Sequence, residues 1–132
     1  MTRVTREYVA SVDAARARYV LWDYDHTPFD AGSRILDVGF GDGDDLRSLA
    51  ARGCTAVGVD VALAPDSRSV HGAARLLLAR AEHLPFRDAS FDGAVMKVVL
   101  PYTDERVAVR EVARVLRPGA VWELTAHGIG ST

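Results

Sequence analysis

The nine residues Ile35-Leu36-Asp37-Val38-Gly39-Phe40-Gly41-Asp42-Gly43 constrain the fold more than any other stretch of this chain. An apolar run that ends in alternating glycines, followed at once by a helical pattern, reads as a buried strand turning tightly into a helix. Glycine has no Cβ, so it admits positive φ and lets another molecule approach the main chain closely. In an open α/β sheet this turn stands beyond the carboxyl end of the strand, where ligands settle.

The flanking pattern supports such a sheet. Val9, Val12, Ala15, Tyr19 and Trp22 recur at helical spacing and predict an amphipathic helix over Thr5 to Trp22. Asp23 to Gly32 reads as a loop or cover segment, punctuated by Pro28 and Gly32. Strands are expected at Arg34–Val38, Thr55–Asp60, Ala74–Ala79, Asp92–Val99 and Val121–Thr125, and helices at Asp44–Arg52 and Asp104–Leu116. Val61 to Gly72 carries no clear pattern, although Pro65-Asp66-Ser67 can open a helix. Strands alternating with helices imply a doubly wound, mostly parallel α/β sheet of about five strands. With 132 residues there is room for one core: a single domain, with 1–32 as helix and cover and 33–132 as the sheet domain.

Composition narrows the partners. The formal net charge of −2 gives no electrostatic reason to expect nucleic acid or an anionic membrane. No apolar run approaches the ~18 residues of a membrane span, and the N-terminus lacks the apolar block of a signal peptide. The single cysteine, Cys54, excludes an internal disulfide, reads as a small core residue and fits a reducing cytoplasm. The histidines do not cluster with it at metal-ligand spacing, so no metal is expected.

The ligand follows from the acids around the turn. The glycine spacing is one residue short of the dinucleotide pattern G-x-G-x-x-G. Asp42, Asp44 and Asp45 crowd the helix start, where a diphosphate would otherwise be attracted. Three carboxylates repel a diphosphate yet suit a ligand with ammonium and sulfonium groups, which favours S-adenosylmethionine over NAD. Asp60, 21 residues after Gly39, ends the next strand where an acid can accept both hydroxyls of a ribose. Acids stabilising a helix dipole would account for the acidic start alone.

Four ordered motifs now resemble the class I S-adenosylmethionine-dependent methyltransferases, in particular the type 11-like group that methylates small molecules. They are the glycine turn, Val57-Gly58-Val59-Asp60, Ala81-Glu82-His83-Leu84-Pro85-Phe86 with Ser90-Phe91-Asp92, and Arg110-Glu111-Val112-Ala113-Arg114-Val115-Leu116-Arg117-Pro118-Gly119. The resemblance runs from about Arg34 to Thr125 and implies a Rossmann-like fold. It implies that Asp37 helps hold the cofactor's ammonium group, directly or through water. Gly39, Phe40, Gly41 and Gly43 would face its methionine and ribose portion, with Asp60 and Val61 at the ribose end. Ala81 and Glu82 would border the adenine, and Lys97 would sit near the reactive methyl.

The chain departs from the family pattern in places. Phe40 replaces a small residue or cysteine between the first two glycines, and either narrows the site or packs sideways. Arg80 stands where an acid commonly contacts the adenine amino group. The fold usually continues into a sixth and seventh strand, whereas this chain ends at Thr132, so it is expected to be shortened at the C-terminus. That would leave Val121–Thr125 as an exposed edge and invite pairing. Self-association is the expectation, or supply of the missing strands by a partner or by sequence beyond this stretch.

Methyl transfer needs mainly proximity and alignment, with at most a base for the acceptor. Tyr102 and Lys97 are the catalytic candidates, with core packing and a solvated rim position as their competing roles. His26 and His127 are weaker candidates, and His71 and His83 have no partner that suggests a role. Tyr19, Trp22, Tyr24 and Phe29 read as packing for the N-terminal helix or as a lid. The sequence thus points to a methyltransferase acting on a small-molecule acceptor. The alternative is a catalytically idle S-adenosylmethionine-binding module or fragment that needs a partner or a missing C-terminal segment. A nicotinamide-nucleotide domain is disfavoured by the glycine spacing.

Overall fold

The computed structural model describes residues 17–20, 29–41, 43–62, 74–97 and 103–125, with 17–20, 97, 124 and 125 described through the main chain only. The strands are β1 (Ala17–Val20), β2 (Arg34–Val38), β3 (Thr55–Asp60), β4 (Ala74–Leu78), β5 (Phe91–Lys97) and β6 (Leu116–Thr125). The helices are α1 (Asp44–Ala51), between β2 and β3, and α2 (Glu105–Val115), between β5 and β6. The sheet order is β1-β6-β5-β2-β3-β4, and every pairing is parallel.

Side-chain alternation divides the core between the two faces of this sheet. On one face Leu36, Val38, Val57, Val59, Ala94, Met96 and Trp122 meet Ala108, Val109, Val112 and Val115 of α2. On the other, Ile35, Ala56 and Val95 meet Leu46 and Leu49 of α1, together with Phe29, Phe40 and Cys54. Trp122 and Phe91 are fully buried, each worth roughly 2–3 kcal/mol of apolar burial. Burial of the consecutive residues Ile35, Leu36, Asp37 and Val38 marks β2 as a strand covered on both sides.

Expectations for the N-terminal segment and for the last strand are corrected. Residues 17–20, expected within a helix, form β1 and run along β6 in the register Ala17↔Ala120 to Val20↔Glu123. The unpaired amides and carbonyls of β6 outweigh a helical period that only local sequence supports. The five expected strands are all present, β1 joins them as a sixth in the described sheet, and the edge of β6 expected to be exposed is covered by β1. The remainder of the expected N-terminal helix lies outside the described residues.

The last strand also begins earlier than Val121. Helix α2 ends at Val115, and Leu116 is already extended, with φ −84 and ψ 142. Arg117 precedes Pro118, which disfavours helical geometry there. Arg117-Pro118-Gly119 is thereby drawn into β6, with a register irregularity between Phe91 and Gly93 opposite.

Phe29 is 2% exposed and lies in the α1-side core, where its ring fills the space a side chain at Gly93 would need. It packs the segment before β2 onto the sheet. Arg52 donates to the Phe29 carbonyl, and the Gly32 N–H donates to the Gly53 carbonyl at 2.8 Å, so the entry to β2 is tied to the exit of α1.

Candidate functional site

The turn after β2 is built from three glycines with positive φ: 74 at Gly39, 56 at Gly41 and 92 at Gly43. The Gly39 N–H donates to the Val59 carbonyl at 2.7 Å, which ties the turn to β3. The Gly43 N–H donates back to the Phe40 carbonyl at 2.9 Å, and Gly43 is the N-cap of α1. Among the described residues, a Cβ placed on Gly41 would meet nothing within 4 Å. Glycine is needed there for conformation, and the main chain lies open on that side.

Asp60 closes the site from the end of β3. Its Oδ2 accepts the Gly41 N–H at 2.9 Å and its Oδ1 accepts the Val61 N–H at 2.7 Å. Each carboxylate oxygen keeps a further lone pair for a hydroxyl donor. Leu78 is the register partner of Asp60 on β4, and both Leu78 and Val61 are largely exposed, at 63% and 69%. A carboxylate, an open glycine turn and two exposed apolar side chains thus meet at the carboxyl ends of β2, β3 and β4.

Phe40 points away from this opening. It is 5% exposed and packed with Leu46 in the α1-side core. A Cβ on Gly58 would lie 2.7 Å from Phe40 Cδ2 and 2.8 Å from Leu46 Cδ1, so that glycine makes the pocket for the ring. Only the main chain of Phe40 is left to the turn. Asp37 is buried at 2% exposure, in register with Val95 on β5, and Val95 is in register with Glu123 on β6. Glu123 is 1% exposed, so two buried carboxylates flank Val95 at one level of the sheet. Sequence reasoning missed Glu123, although an acid inside Val121-Trp122-Glu123-Leu124 was a visible signal.

Ala81 and Glu82 lie on the segment that follows β4. Ala81 is buried, whereas the Glu82 carboxylate accepts the Asp104 N–H at 3.2 Å, at the cap of α2. Asp104 in turn accepts from the Val107 N–H. Further along, Glu111 Oε2 accepts the Leu84 N–H at 2.7 Å. Arg114 donates to the Leu84 carbonyl at 3.0 Å, the Phe86 carbonyl at 2.8 Å, Asp88 at 2.9 Å and both oxygens of Glu111. The Arg114 hydrogen bond holds the Glu111 carboxyl below its usual range, assisted by the Leu84 N–H and opposed by burial. These contacts join the third and fourth motifs, and their side-chain partners were not legible as a pair from sequence.

Lys97 is the last residue of β5, in register with Thr125. Tyr102, His26, His71, His127 and Asp42 lie outside the described residues, as do Trp22 and Tyr24. Arg80 and His83 are exposed, with the His83 N–H donating to the Arg80 carbonyl at 3.0 Å. Asp44, in the first turn of α1, is ion-paired to Arg47, which offsets part of the acidity expected there. Among the described residues no group of histidine, cysteine and acids could hold a metal, and no helix is long and apolar enough to cross a membrane.

Comparison with known proteins agrees with this geometry. Residues 36–122 match the family model described as a methyltransferase domain. O-methyltransferase rstn1 of Aspergillus nomiae is 39% identical over 99 residues, covering 67% of this chain and 44% of its own. A SAM-dependent methyltransferase of Methanosarcina mazei superposes with a TM-score of 0.63 at 32% identity, covering 74% of this chain and 54% of that one. The cyclase SpnF superposes with a TM-score of 0.66 at 29% identity, covering 73% of this chain and 39% of its own. The chain spans less than half of the length of the curated relatives it matches. It belongs to the class I S-adenosylmethionine-dependent methyltransferase family, through its methyltransferase domain.

Proposed function

We propose that this member of the methyltransferase-domain family binds S-adenosylmethionine at the glycine turn and transfers its methyl group to a small-molecule acceptor. The observation that carries the reading is Asp60, whose carboxylate faces the open main chain of Gly41 at 2.9 Å at the end of β3. The donor set suits the cofactor. Asp60 accepts hydroxyl donors, Gly41 lets the ligand lie against the main chain, and exposed Val61 and Leu78 offer apolar surface to a flat ring. Asp37 and the acids of α1 favour a cationic rather than a diphosphate ligand.

When bound, the cofactor supplies a methyl carbon activated by a sulfonium, transferred by in-line displacement. The chain's part is to fix the donor and bring an acceptor into line. Lys97, at the end of β5, and Tyr102 are our candidates for the acceptor side. An O-methyltransferase among the relatives supports an oxygen acceptor as the first class to assay. Calorimetric titration with S-adenosylhomocysteine and with NADH tests the cofactor: binding of the first alone is expected, and binding of NADH alone overturns the reading. Turnover is then assayed across pools of small hydroxylated acceptors, where binding without transfer to any of them would speak for an idle binding module.

A further inference from the structure

The two halves of the proposed site are held in different ways. The turn and Asp60 sit on β2 and β3, strands paired on both sides, whereas Ala81 and Glu82 lie near the start of a segment, 79–90, that is outside the sheet and whose bridge, Arg80↔His83, is internal to it. That segment's links to the rest of the fold run mainly to α2. The Ala79 N–H donates to the Asp60 carbonyl at 2.9 Å, and Glu82 accepts from Asp104. Leu84 has both main-chain groups engaged by the ion pair: its N–H by Glu111 at 2.7 Å and its carbonyl by Arg114 at 3.0 Å. We propose that Glu111 and Arg114 are positioning residues that set the adenine-side wall of the cofactor site, acting through Leu84 on Ala81 and Glu82. This assignment rests on the cofactor reading above and on the adenine border that the family resemblance implies for Ala81 and Glu82.

The chemistry explains why this pair does the holding. The planar guanidinium has five N–H donors in a fixed fork, and here they reach Glu111, Asp88 and the carbonyls of Leu84 and Phe86 together. A lysine ammonium has three donors on one point and cannot span four acceptors. Glu111 needs both oxygens, one for Arg114 Nε at 2.6 Å and the other shared by Leu84 N–H and Arg114 Nη2. A glutamine offers one such oxygen and turns an N–H₂ toward donors. Beneath the segment Ala81 and Leu84 are pinned in the α2-side core, so a shift of the clamp is passed to the wall rather than absorbed in solvent.

The test uses the full chain, Arg114→Lys, Glu111→Gln, and Arg117→Ala as a control. Arg117 pairs with Asp92, which lies beyond the 79–90 segment. Each protein is titrated with S-adenosylhomocysteine and with 5′-methylthioadenosine, which carries the adenosine half alone, and its melting temperature is recorded. The expected result is a loss of about tenfold or more in affinity for both ligands in the two clamp variants. Hydrogen exchange should quicken at 81–84 and stay unchanged in β2 and β3. Arg117→Ala should lower the melting temperature without weakening either ligand. Clamp variants that melt earlier but bind both ligands as the parent does would overturn the assignment and leave a purely structural ion pair. If the parent protein binds neither ligand, the cofactor reading itself fails and the assignment with it. Should Arg114→Lys not fold, Glu111→Gln carries the same comparison.

Discussion

The Asp60 carboxylate accepts the main-chain N–H of Gly41 across 2.9 Å, bridging the glycine turn after one strand to the end of the next. The relationship joins residues far apart in sequence and gives the site its shape. It also places an acceptor with spare lone pairs directly beside the part of the main chain that is open to a ligand.

Asp60→Ala should separate folding from binding. The two N–H groups that the carboxylate serves are in exposed hydrogen bonds, so water can replace it at a stability cost of about 1 kcal/mol. Affinity for S-adenosylhomocysteine should fall by about tenfold or more, because charge-assisted acceptance of ligand hydroxyls is lost. Urea denaturation and calorimetry on the same sample check both outcomes. Unchanged affinity would remove Asp60 from the site.

Three glycine-to-alanine variants should rank by what the new methyl meets. Gly93→Ala places a Cβ 2.5 Å from Phe29 Cε1 and 2.8 Å from the Val121 carbonyl, whose strand cannot give way. We expect a loss of about 3 kcal/mol. Gly58→Ala meets side-chain atoms of Phe40 and Leu46, which can turn aside in part, so about 2 kcal/mol is expected. Gly41→Ala meets nothing among the described residues, and its φ of 56 costs about 1 kcal/mol. Denaturant midpoints give the order directly.

Acid should loosen the α2 clamp. Arg114 holds the Glu111 carboxyl below its usual range in the folded protein, so the unfolded chain takes up this proton at a higher pH than the folded one. The resulting stabilisation is complete above about pH 4.3, the ordinary glutamate value, and is lost as pH falls through the lower folded value. Glu111→Gln should be less stable at neutral pH and show a shallower decline in acid. Thermal melts of both proteins between neutral and acidic pH make the comparison, and parallel curves would contradict it.

Cys54 should be inert in the native protein. It is 7% exposed, and burial is the main cause that pushes its thiol above the ordinary range, with Arg52 acting in the opposite direction. Because the thiolate is the reactive form, an aromatic disulfide reagent should react about tenfold or more slowly with native than with unfolded protein. Equal rates would show that the entry to β3 opens readily.

What the residues alone determine here is local. Glycines at Gly39, Gly41 and Gly43 are legible because their positive φ needs no partner to explain it. The strand at Thr55–Asp60 and its terminal acid are legible because apolar runs and turn residues carry their own signal. The tertiary structure decided the rest, through contacts between residues distant in sequence. Residues 17–20 joined the sheet because β6 offered unpaired main-chain groups, which outweighed a helical period. Phe40 turned into the core because Gly58, 18 positions away, leaves room for its ring. Glu111 and Arg114 clamp a segment 27 to 30 residues upstream, a match that no local pattern encodes. Strand periodicity and turn chemistry act within a few residues, whereas the choice of edge, face and ion-pair partner waits until distant segments are packed together.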